Sequence, residues 1–231
     1  MSGRLVVVTG GGGGIGRALA GHFQTLGDEV LAPGRRECDV TDEASVSAFF
    51  DRAGPVDVLV NNAGMAESAP LHRTTLASWR AQLDVNATGA FLCTRAVVAG
   101  MRERGSGAVV TVASVAGRAG APYTAAYTAA KHAAVGLMRA AAAELAGSGV
   151  TANAVCPAFV DTPMTDRSVA NITERTGRAE GEARDALASS SPLGRLLDPG
   201  EVAATVAWLA SPEAAAVNGQ ALVLDGGGIQ A

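Results

Sequence analysis

The sequence predicts an α/β protein in which a doubly wound parallel sheet carries helices on both faces. Short valine-rich runs alternate with longer alanine-rich segments along the chain. The valine-rich runs are almost continuously apolar, as strands buried on both faces are, and do not alternate with polar residues. The length of 231 residues suits one domain of this class and allows a sizeable core. We therefore expect a single domain over residues 1–231.

Six strands and five helices are predicted in alternation. The strands are Leu5–Val8, Glu29–Ala32, Val56–Val60, Ala108–Val112, Thr151–Cys156 and Ala221–Leu224. The helices begin after Gly14 and cover Glu43–Arg52, Leu76–Gly100, Ala125–Ala146 and Glu201–Ala210. The stretch from Thr162 to Pro192 is rich in Ser, Arg, Glu and Gly and has the least regular pattern. We expect a substrate-binding loop there, at about residues 162–192.

Composition excludes several classes of function. The net charge of −4 is spread along the chain and leaves no basic patch for nucleic acid. Cys38, Cys93 and Cys156 are far apart and form no Cys-x-x-Cys pattern, which predicts neither a disulfide framework nor a metal site. Their free thiols suit a reducing cytoplasm. The apolar N-terminal run is interpreted as a strand and not as a signal peptide, and no apolar run approaches the length of a membrane span.

A glycine-rich turn, Thr9–Gly16, follows the first strand and opens a helix with the spacing Thr-Gly-x-x-x-Gly-x-Gly. Glycine lets the backbone turn tightly and approach a pyrophosphate, while the helix N-terminus offers free N–H groups and partial positive charge. A flexible linker is the alternative interpretation of such a run. The strand–turn–helix context favours a phosphate-binding turn.

Lys131 is the only lysine among 18 basic side chains, and it lies four residues after Tyr127. This spacing places ammonium and phenol one turn apart on one helix face. An ammonium there can lower the phenol's pKa from about 10 toward neutrality. A chance pair is the alternative. Ser114 ends a buried strand thirteen residues before Tyr127, at the sheet edge where ligands meet parallel strands, although alone it could be only a helix cap.

These motifs together resemble the short-chain dehydrogenase/reductase family. The Thr9–Gly16 turn, Asn61-Asn62-Ala63-Gly64, Ser114 and the Tyr127–Lys131 pair stand in that family's order and spacing, and the resemblance covers essentially the whole chain. It implies a Rossmann-like fold and an oxidoreductase that interconverts a ketone and a secondary alcohol. The single-domain branch is commonly tetrameric, so a homotetramer is expected too.

The resemblance also implies roles for the matched residues. Tyr127 is the acid for reduction and the base for oxidation, and Ser114 holds the substrate's carbonyl oxygen. Lys131 lowers the pKa of Tyr127 and binds the nicotinamide ribose, while Asn86 supports a water-linked proton relay to Lys131. A locally bonded amide is the alternative for Asn86. The implied cofactor contacts are Gly10, Gly14, Ile15, Gly16, Asn62, Ala63, Gly64, Tyr127, Lys131 and Thr162. Ala158 replaces a glycine that is usual in the family, which puts the backbone path there in doubt.

The residues at the end of the second strand predict which nicotinamide cofactor, NAD or NADP, is bound. A carboxylate there suits the ribose of NAD, and an arginine suits the 2′-phosphate of NADP. Gly34 stands at the carboxylate position and is followed by Arg35 and Arg36, so NADP(H) is favoured. Both arginines could instead be solvated surface charges. Asp39 and Val40 are expected beside the adenine; if Asp39 turns toward the ribose, it favours NAD(H).

The substrate is expected to be a small carbonyl or alcohol. The segment from Ser191 onward is similar to 3-oxoacyl thioester reductases of the family, and four arginines could meet a phosphorylated carrier: Arg167, Arg175, Arg178 and Arg184. The alternatives are an NAD-dependent alcohol, cyclic alcohol or diol dehydrogenase, and a nucleotide-binding module without turnover. An epimerase or dehydratase of the longer relatives would need a C-terminal domain for which the chain has no room.

Overall fold

The computed structural model describes residues 3–230, which form one six-stranded sheet with helices on both faces. The strands are β1 (Leu5–Val8), β2 (Glu29–Leu31), β3 (Val58–Asn61), β4 (Gly107–Val112), β5 (Val150–Pro157) and β6 (Ala221–Leu224). The helices are α1 (Gly14–Thr25), α2 (Glu43–Ala53), α3 (Leu76–Leu83), α4 (Gly89–Arg104), α5 (Ala125–Glu144), α6 (Pro163–Thr176), α7 (Glu180–Ala188) and α8 (Pro199–Leu209). The predicted α/β class is confirmed.

All strand pairs are parallel, in the order β2-β1-β3-β4-β5-β6. The chain leaves β1 for β2 on one side and then crosses to β3 on the other. In such sheets a crevice opens at the carboxyl ends of the strands where the direction of winding reverses. The sheet therefore places a ligand crevice at the ends of β1 and β3.

Alternate residues of each strand supply two separate cores. On β1, Val7 joins the core beneath α2, α4 and α5, whereas Val6 and Val8 join the core beneath α1 and α8. Both are built from Val, Leu and Ala with few aromatic rings. The near-continuous apolar strands follow from this burial on two sides.

The predicted helix over Leu76–Gly100 is interrupted. A π-helical turn, Asp84–Thr88, separates α3 from α4, and the Gly89 N–H donates to the Asp84 carbonyl five residues back. Such turns are uncommon and often mark functional sites. A π turn contains one residue more than an α-helical turn. The apolar periodicity predicted the helix but not this turn, because one added residue shifts the apolar pattern by only one position.

The segment expected as a loop at about 162–192 is instead mainly helical, in α6 and α7. Thr162 caps α6 by accepting from the Thr165 N–H, and Pro163 occupies the first turn, where its missing N–H has no cost. Val169 is buried while the arginines and glutamates face outward. The polar composition that suggested irregularity is the outer face of two amphipathic helices.

Candidate active site

The predicted motifs converge at the carboxyl edge of the sheet. The glycine-rich turn follows β1, the Asn61–Gly64 segment ends β3, Ser114 follows β4, and Thr162 follows β5. Helix α5 brings Tyr127 and Lys131 against the end of β4. The structure thus gathers residues from five separate elements into one site.

The glycine-rich turn is tightly packed in parts and open in others. A side chain at Gly10 would come within 2.8 Å of the Ala63 backbone, and one at Gly16 within 2.3 Å of the Gly10 carbonyl. A side chain added at Gly12 or Gly13 would meet nothing within 4 Å. No side chain caps the N-terminus of α1, so its N–H groups are available to an anion.

Asn62 and Thr9 fasten the glycine-rich turn to the end of β3. The Asn62 amide donates to the carbonyls of Thr9 and Gly10, at 3.0 and 3.1 Å. The Thr9 hydroxyl in turn accepts from the backbone N–H groups of Asn62 and Ala63, both at 3.1 Å. The side chain of Asn62 is thus engaged in shaping the turn.

Ser114 and Tyr127 are neighbours in the site. The Ser114 hydroxyl lies close enough to the Tyr127 phenol to lower its pKa. The serine oxygen also accepts from the Ala116 N–H at 3.1 Å, which leaves the hydroxyl hydrogen free to donate. Burial raises the pKa of Tyr127, and the Ser114 hydroxyl opposes that effect. The phenol therefore carries its proton at neutral pH.

Lys131 is buried, with 5% of its surface exposed, and donates from Nζ to the Val112 carbonyl at 2.9 Å. Its nitrogen lies over the Tyr127 ring, 5.6 Å from the ring centre. Burial lowers the pKa of Lys131 to about 8. The pKa of Tyr127 is raised and not lowered in this structure, because burial of the phenol is the largest effect on it. A lowering of that pKa by Lys131 stays a prediction.

Asn86 lies in the π turn and holds the segment after β3. Its amide nitrogen donates to the carbonyls of Met65 and Gln82, each at 2.8 Å, and its oxygen accepts from the Met65 N–H at 3.3 Å. A side chain at Gly64 would lie 2.9 Å from that oxygen and 3.7 Å from Lys131 Nζ. Gly64 therefore lies beside both the Asn86 oxygen and Lys131 Nζ, and its lack of a side chain leaves the space between them open.

Asn61 is a site residue to which the sequence gave no role of its own. Its amide nitrogen donates to the hydroxyls of Thr94 and Thr111, but its buried oxygen has no hydrogen-bond partner among residues 3–230. It lines a cavity of about 10 Å³ together with Asn86 and Lys131, which is room for about one water. The available signal was a polar residue ending an otherwise apolar strand.

The segment after β2 carries both signs of charge. Arg35 is exposed and forms an ion pair with Asp39 at 3.0 Å, and Asp39 also accepts from Thr41. Glu37 accepts from the Gly34 N–H at 2.8 Å, so a carboxylate that the sequence interpretation overlooked lies at the end of this strand. Arg36 is exposed and makes no hydrogen bond or ion pair with any residue in 3–230.

The segment after β5 closes the other side of the site. Ala158 follows β5 and donates from its N–H to the Leu224 carbonyl at 2.9 Å, and its backbone has no positive φ, so an alanine is accommodated there. Thr162 is used as the cap of α6, and its side chain lies against Gly14. Arg184 on α7 pairs with Asp161 and Asp166, which fastens α7 to the start of α6.

Tyr123 has a left-handed backbone, with φ of +68°, and its side chain is 64% exposed. This conformation is strained for an aromatic residue and must be held by its surroundings. The Tyr123 carbonyl accepts from the Ala69 N–H at 2.9 Å, and Ser68 accepts from the Asn171 amide at 2.7 Å. These two bonds join the loop before α5, the segment after β3 and helix α6 into one rim.

Comparison with known proteins agrees with this architecture. Residues 14–228 match a family described as enoyl-(acyl carrier protein) reductase. The chain is 39% identical to cis-4-hydroxycyclohexanecarboxylate dehydrogenase of Sinomonas cyclohexanicum, covering 97% of this chain and 96% of that protein.

Solved structures give the same result. An actinorhodin polyketide ketoreductase carrying a Phe→Trp substitution, crystallised with NADPH, superposes with a TM-score of 0.89 at 35% identity, with 97% of each chain covered. Levodione reductase also gives a TM-score of 0.89, at 33% identity, with 97% and 96% covered. Within residues 3–230, no helix is long and apolar enough to cross a membrane.

Proposed function

Since the chain belongs to the short-chain dehydrogenase/reductase family and is an oxidoreductase, we propose that it interconverts a ketone and a secondary alcohol with NADP(H), using Tyr127 as acid and base. The carrying observation is the closeness of the Ser114 hydroxyl to the Tyr127 phenol at the carboxyl edge of the sheet. A proton donor and a second hydroxyl aimed at one point suit a carbonyl oxygen that gains negative charge.

Proton transfer is assigned to Tyr127. In the reducing direction the phenol gives its proton to the carbonyl oxygen, and its raised pKa keeps that proton available at neutral pH. Ser114 donates its free hydroxyl hydrogen to the same oxygen. In the oxidising direction Tyr127 must first lose its proton, and the ammonium of Lys131 is the nearby charge that favours the phenolate.

The residues present fit a dinucleotide. The open positions Gly12 and Gly13 and the uncapped start of α1 would accept the pyrophosphate. Gly10, Gly14, Ile15 and Gly16 form the turn, while Asn62, Ala63 and Gly64 line its β3 side. We assign Tyr127, Lys131 and Thr162 to the nicotinamide end. When bound, the nicotinamide supplies or accepts the hydride at the carbonyl carbon.

NADP(H) is preferred over NAD(H) because Arg36 is an exposed guanidinium at the end of β2 with no partner in residues 3–230. A 2′-phosphate would give it one. Arg35 can assist only by leaving Asp39, and Glu37 would repel a phosphate unless it turns away. Asp39 and Val40 are assigned to the adenine side. If the carboxylates of Glu37 and Asp39, and not the two arginines, face the adenosine ribose, NAD(H) is used instead.

A water-linked relay through Asn86 is part of the proposal. The cavity beside Lys131 has room for about one water, and the unpaired oxygen of Asn61 offers that water a partner. The amide of Asn86 is already engaged with Met65 and Gln82. We therefore assign Asn86 to holding the cavity's shape, with the water carrying protons to Lys131.

The substrate is proposed to be a 3-oxoacyl thioester. Helices α6 and α7 form one wall of the site and replace the expected loop as the substrate-selecting segment. Phe159 lies 37% exposed before α6, and Arg167, Arg175 and Arg178 are exposed on or after it. Arg184 is engaged with two aspartates and is not available to a carrier phosphate.

A cyclic secondary alcohol is the second candidate, and the relative that acts on cis-4-hydroxycyclohexanecarboxylate favours it. The deciding experiment measures steady-state rates on acetoacetyl-CoA, simple cyclic ketones and cis-4-hydroxycyclohexanecarboxylate, each with both nicotinamides. A preference for acetoacetyl-CoA with NADPH is expected. Rates on acetoacetyl-CoA no better than on cyclic ketones would reject the thioester.

A homo-oligomer, expected to be a tetramer in the cytoplasm, completes the proposal. The outward face of α5 is a row of small residues, and bulky apolar side chains stand exposed on α3, α4 and α8. They are Ala133, Gly136, Ala140 and Ala143 on α5, and Trp79, Phe91 and Trp208 on the others. Light scattering after size exclusion should give four times 23.0 kDa, and a monomer would reject this part.

A further inference from the structure

Two cysteines that are distant in sequence meet beneath the nucleotide-binding segment after β2. The thiols of Cys38 and Cys93 are neighbours, and each shifts the pKa of the other. Cys38 is 4% exposed and Cys93 is fully buried, and both belong to the core beneath α2, α4 and α5. Cys38 stands between Arg36 and Asp39, so the pair joins the loop of residues 32–42 to helix α4.

Close packing of backbone explains why the sulfurs meet. Val40, two residues after Cys38, packs on Gly89, one helical turn before Cys93. A side chain at Gly89 would come within 2.7 Å of Val40. Residues two apart in an extended segment share a side, as do residues four apart in a helix. The loop therefore packs directly on α4 beside the two cysteines.

The two thiols differ in their surroundings. The neighbouring Cys93 thiol lowers the pKa of Cys38, against the opposing effects of burial and the Asp39 charge, and the Arg52 guanidinium adds a smaller lowering effect. The neighbouring Cys38 thiol and burial raise the pKa of Cys93. Arg36 and Glu37 beside Cys38 are exposed, so a small opening of the loop would bring solvent to its sulfur. An isolated core cysteine would have no such partner.

We propose that Cys38 and Cys93 are a reversible dithiol–disulfide pair, oxidised by a peroxide, through which redox state controls nucleotide binding. The Cys38 thiolate attacks one peroxide oxygen, breaks the O–O bond and becomes a sulfenic acid, while the other oxygen leaves as water after taking a proton. The Cys93 sulfur then displaces the hydroxyl, which leaves with the Cys93 proton as a second water. Two thiols lose two electrons and two protons in total.

Disulfide formation moves the loop. The neighbouring sulfurs must approach to about 2.05 Å, which pulls Cys38 toward α4. Arg36 and Asp39 on either side of it move with the backbone. Because these residues face the adenosine end of the nucleotide in the proposed function, oxidation weakens nucleotide binding. This consequence rests on the proposed cofactor site, whereas the cross-link itself does not.

Peptide mapping tests the cross-link without any assay of activity. Trypsin places each cysteine in its own peptide: residues 37–52, 81–95 and 140–167. After mild hydrogen peroxide, the first two peptides should appear joined, two mass units lighter than their sum, and should separate with dithiothreitol. Cys156→Ala should keep the cross-link, and Cys93→Ser should lose it. Sulfinic acid at Cys38, or joining that involves residues 140–167 instead, would overturn the pair.

Nucleotide titration tests whether oxidation of the two cysteines weakens nucleotide binding. The oxidised protein should bind NADPH at least about fivefold more weakly than the reduced protein, the lower range of coupling between sites. By reciprocity, NADPH should shift the thiol–disulfide equilibrium measured in glutathione buffers by the same factor. In Cys93→Ser, peroxide should leave NADPH affinity unchanged. Equal NADPH affinities of the oxidised and reduced wild type would reject the proposal that redox state controls nucleotide binding. If reduced protein binds neither NADPH nor NADH, the cofactor assignment fails, while the mapping result stands.

Discussion

The ammonium nitrogen of Lys131 lies over the face of the Tyr127 ring, 5.6 Å from its centre, and donates to the Val112 carbonyl. No hydrogen bond joins it to the phenol oxygen within residues 3–230. The Lys131 cation lies over the ring in a cation–π arrangement, but burial still raises the pKa of Tyr127. The acid form is the resting state, which suits reduction more directly than oxidation.

Tyr127→Phe should reduce kcat by about 10²- to 10⁴-fold, the usual contribution of a general acid. The ring and its packing remain, so the thermal midpoint and nucleotide affinity should stay near those of the wild type. Tyr123→Phe is the matched control, because it removes the only other phenol, and it should keep turnover. Full turnover by Tyr127→Phe would exclude the proposed mechanism.

Lys131→Arg should lower kcat by about 10²-fold although it keeps the charge. The side chain is buried between the Val112 carbonyl and the Gly64–Asn86 contact, where a wider planar fork does not fit. Arg139→Lys, on the exposed face of the same helix, should have no effect. Near-normal rates in Lys131→Arg would mean that charge alone matters.

Stability should depend on the titration of Lys131. The folded chain releases this proton near pH 8, while the unfolded chain keeps it to about pH 10.5. The unfolded state therefore binds more protons in that window, and the unfolding free energy rises with pH. Urea denaturation should show wild type gaining on the order of 3 kcal/mol relative to Lys131→Met between pH 8 and 10.5. A constant difference would show that Lys131 has an ordinary pKa.

Arg36→Ala should weaken NADPH binding by about tenfold or more, the effect of losing a hydrogen bond to a charged group. Arg35→Ala should have a smaller effect, because Arg35 is already paired with Asp39. Neither change should alter NADH binding, and Arg102→Ala at the end of α4 serves as the control. The measurement is fluorescence titration with each nucleotide. An NADH preference that survives both substitutions would reject the NADP(H) assignment.

Gly64→Ala should lower both stability and kcat. The added methyl group would lie 2.9 Å from the Asn86 oxygen and 3.7 Å from Lys131 Nζ, so Asn86 must move. We expect a loss of about 1–3 kcal/mol, as for other overpacked sites. Gly21→Ala on α1, which meets nothing within 4 Å, should be neutral or stabilising. A kcat unchanged in Gly64→Ala would show that the position of Asn86 beside Lys131 is dispensable.

The sequence by itself determined the six strands in their order along the chain and the edge of the sheet where the site lies. Buried parallel strands have near-continuous apolar runs, and their carboxyl ends share one edge, so Ser114 and the glycine-rich turn could be placed together. The two helices α6 and α7 were missed because their many polar residues, which form the outer faces, hid the narrow apolar faces.

Only the tertiary structure decided which side chains touch. Three pairs of residues that are distant in the chain are neighbours in the fold. They are Lys131 with Val112, Asn86 with Met65, and Cys38 with Cys93. Periodicity assigns a residue to a face, but the packing of one element on another sets its partner. Desolvation is likewise a property of that packing, which is why the pKa of Tyr127 moved opposite to the expectation from spacing alone.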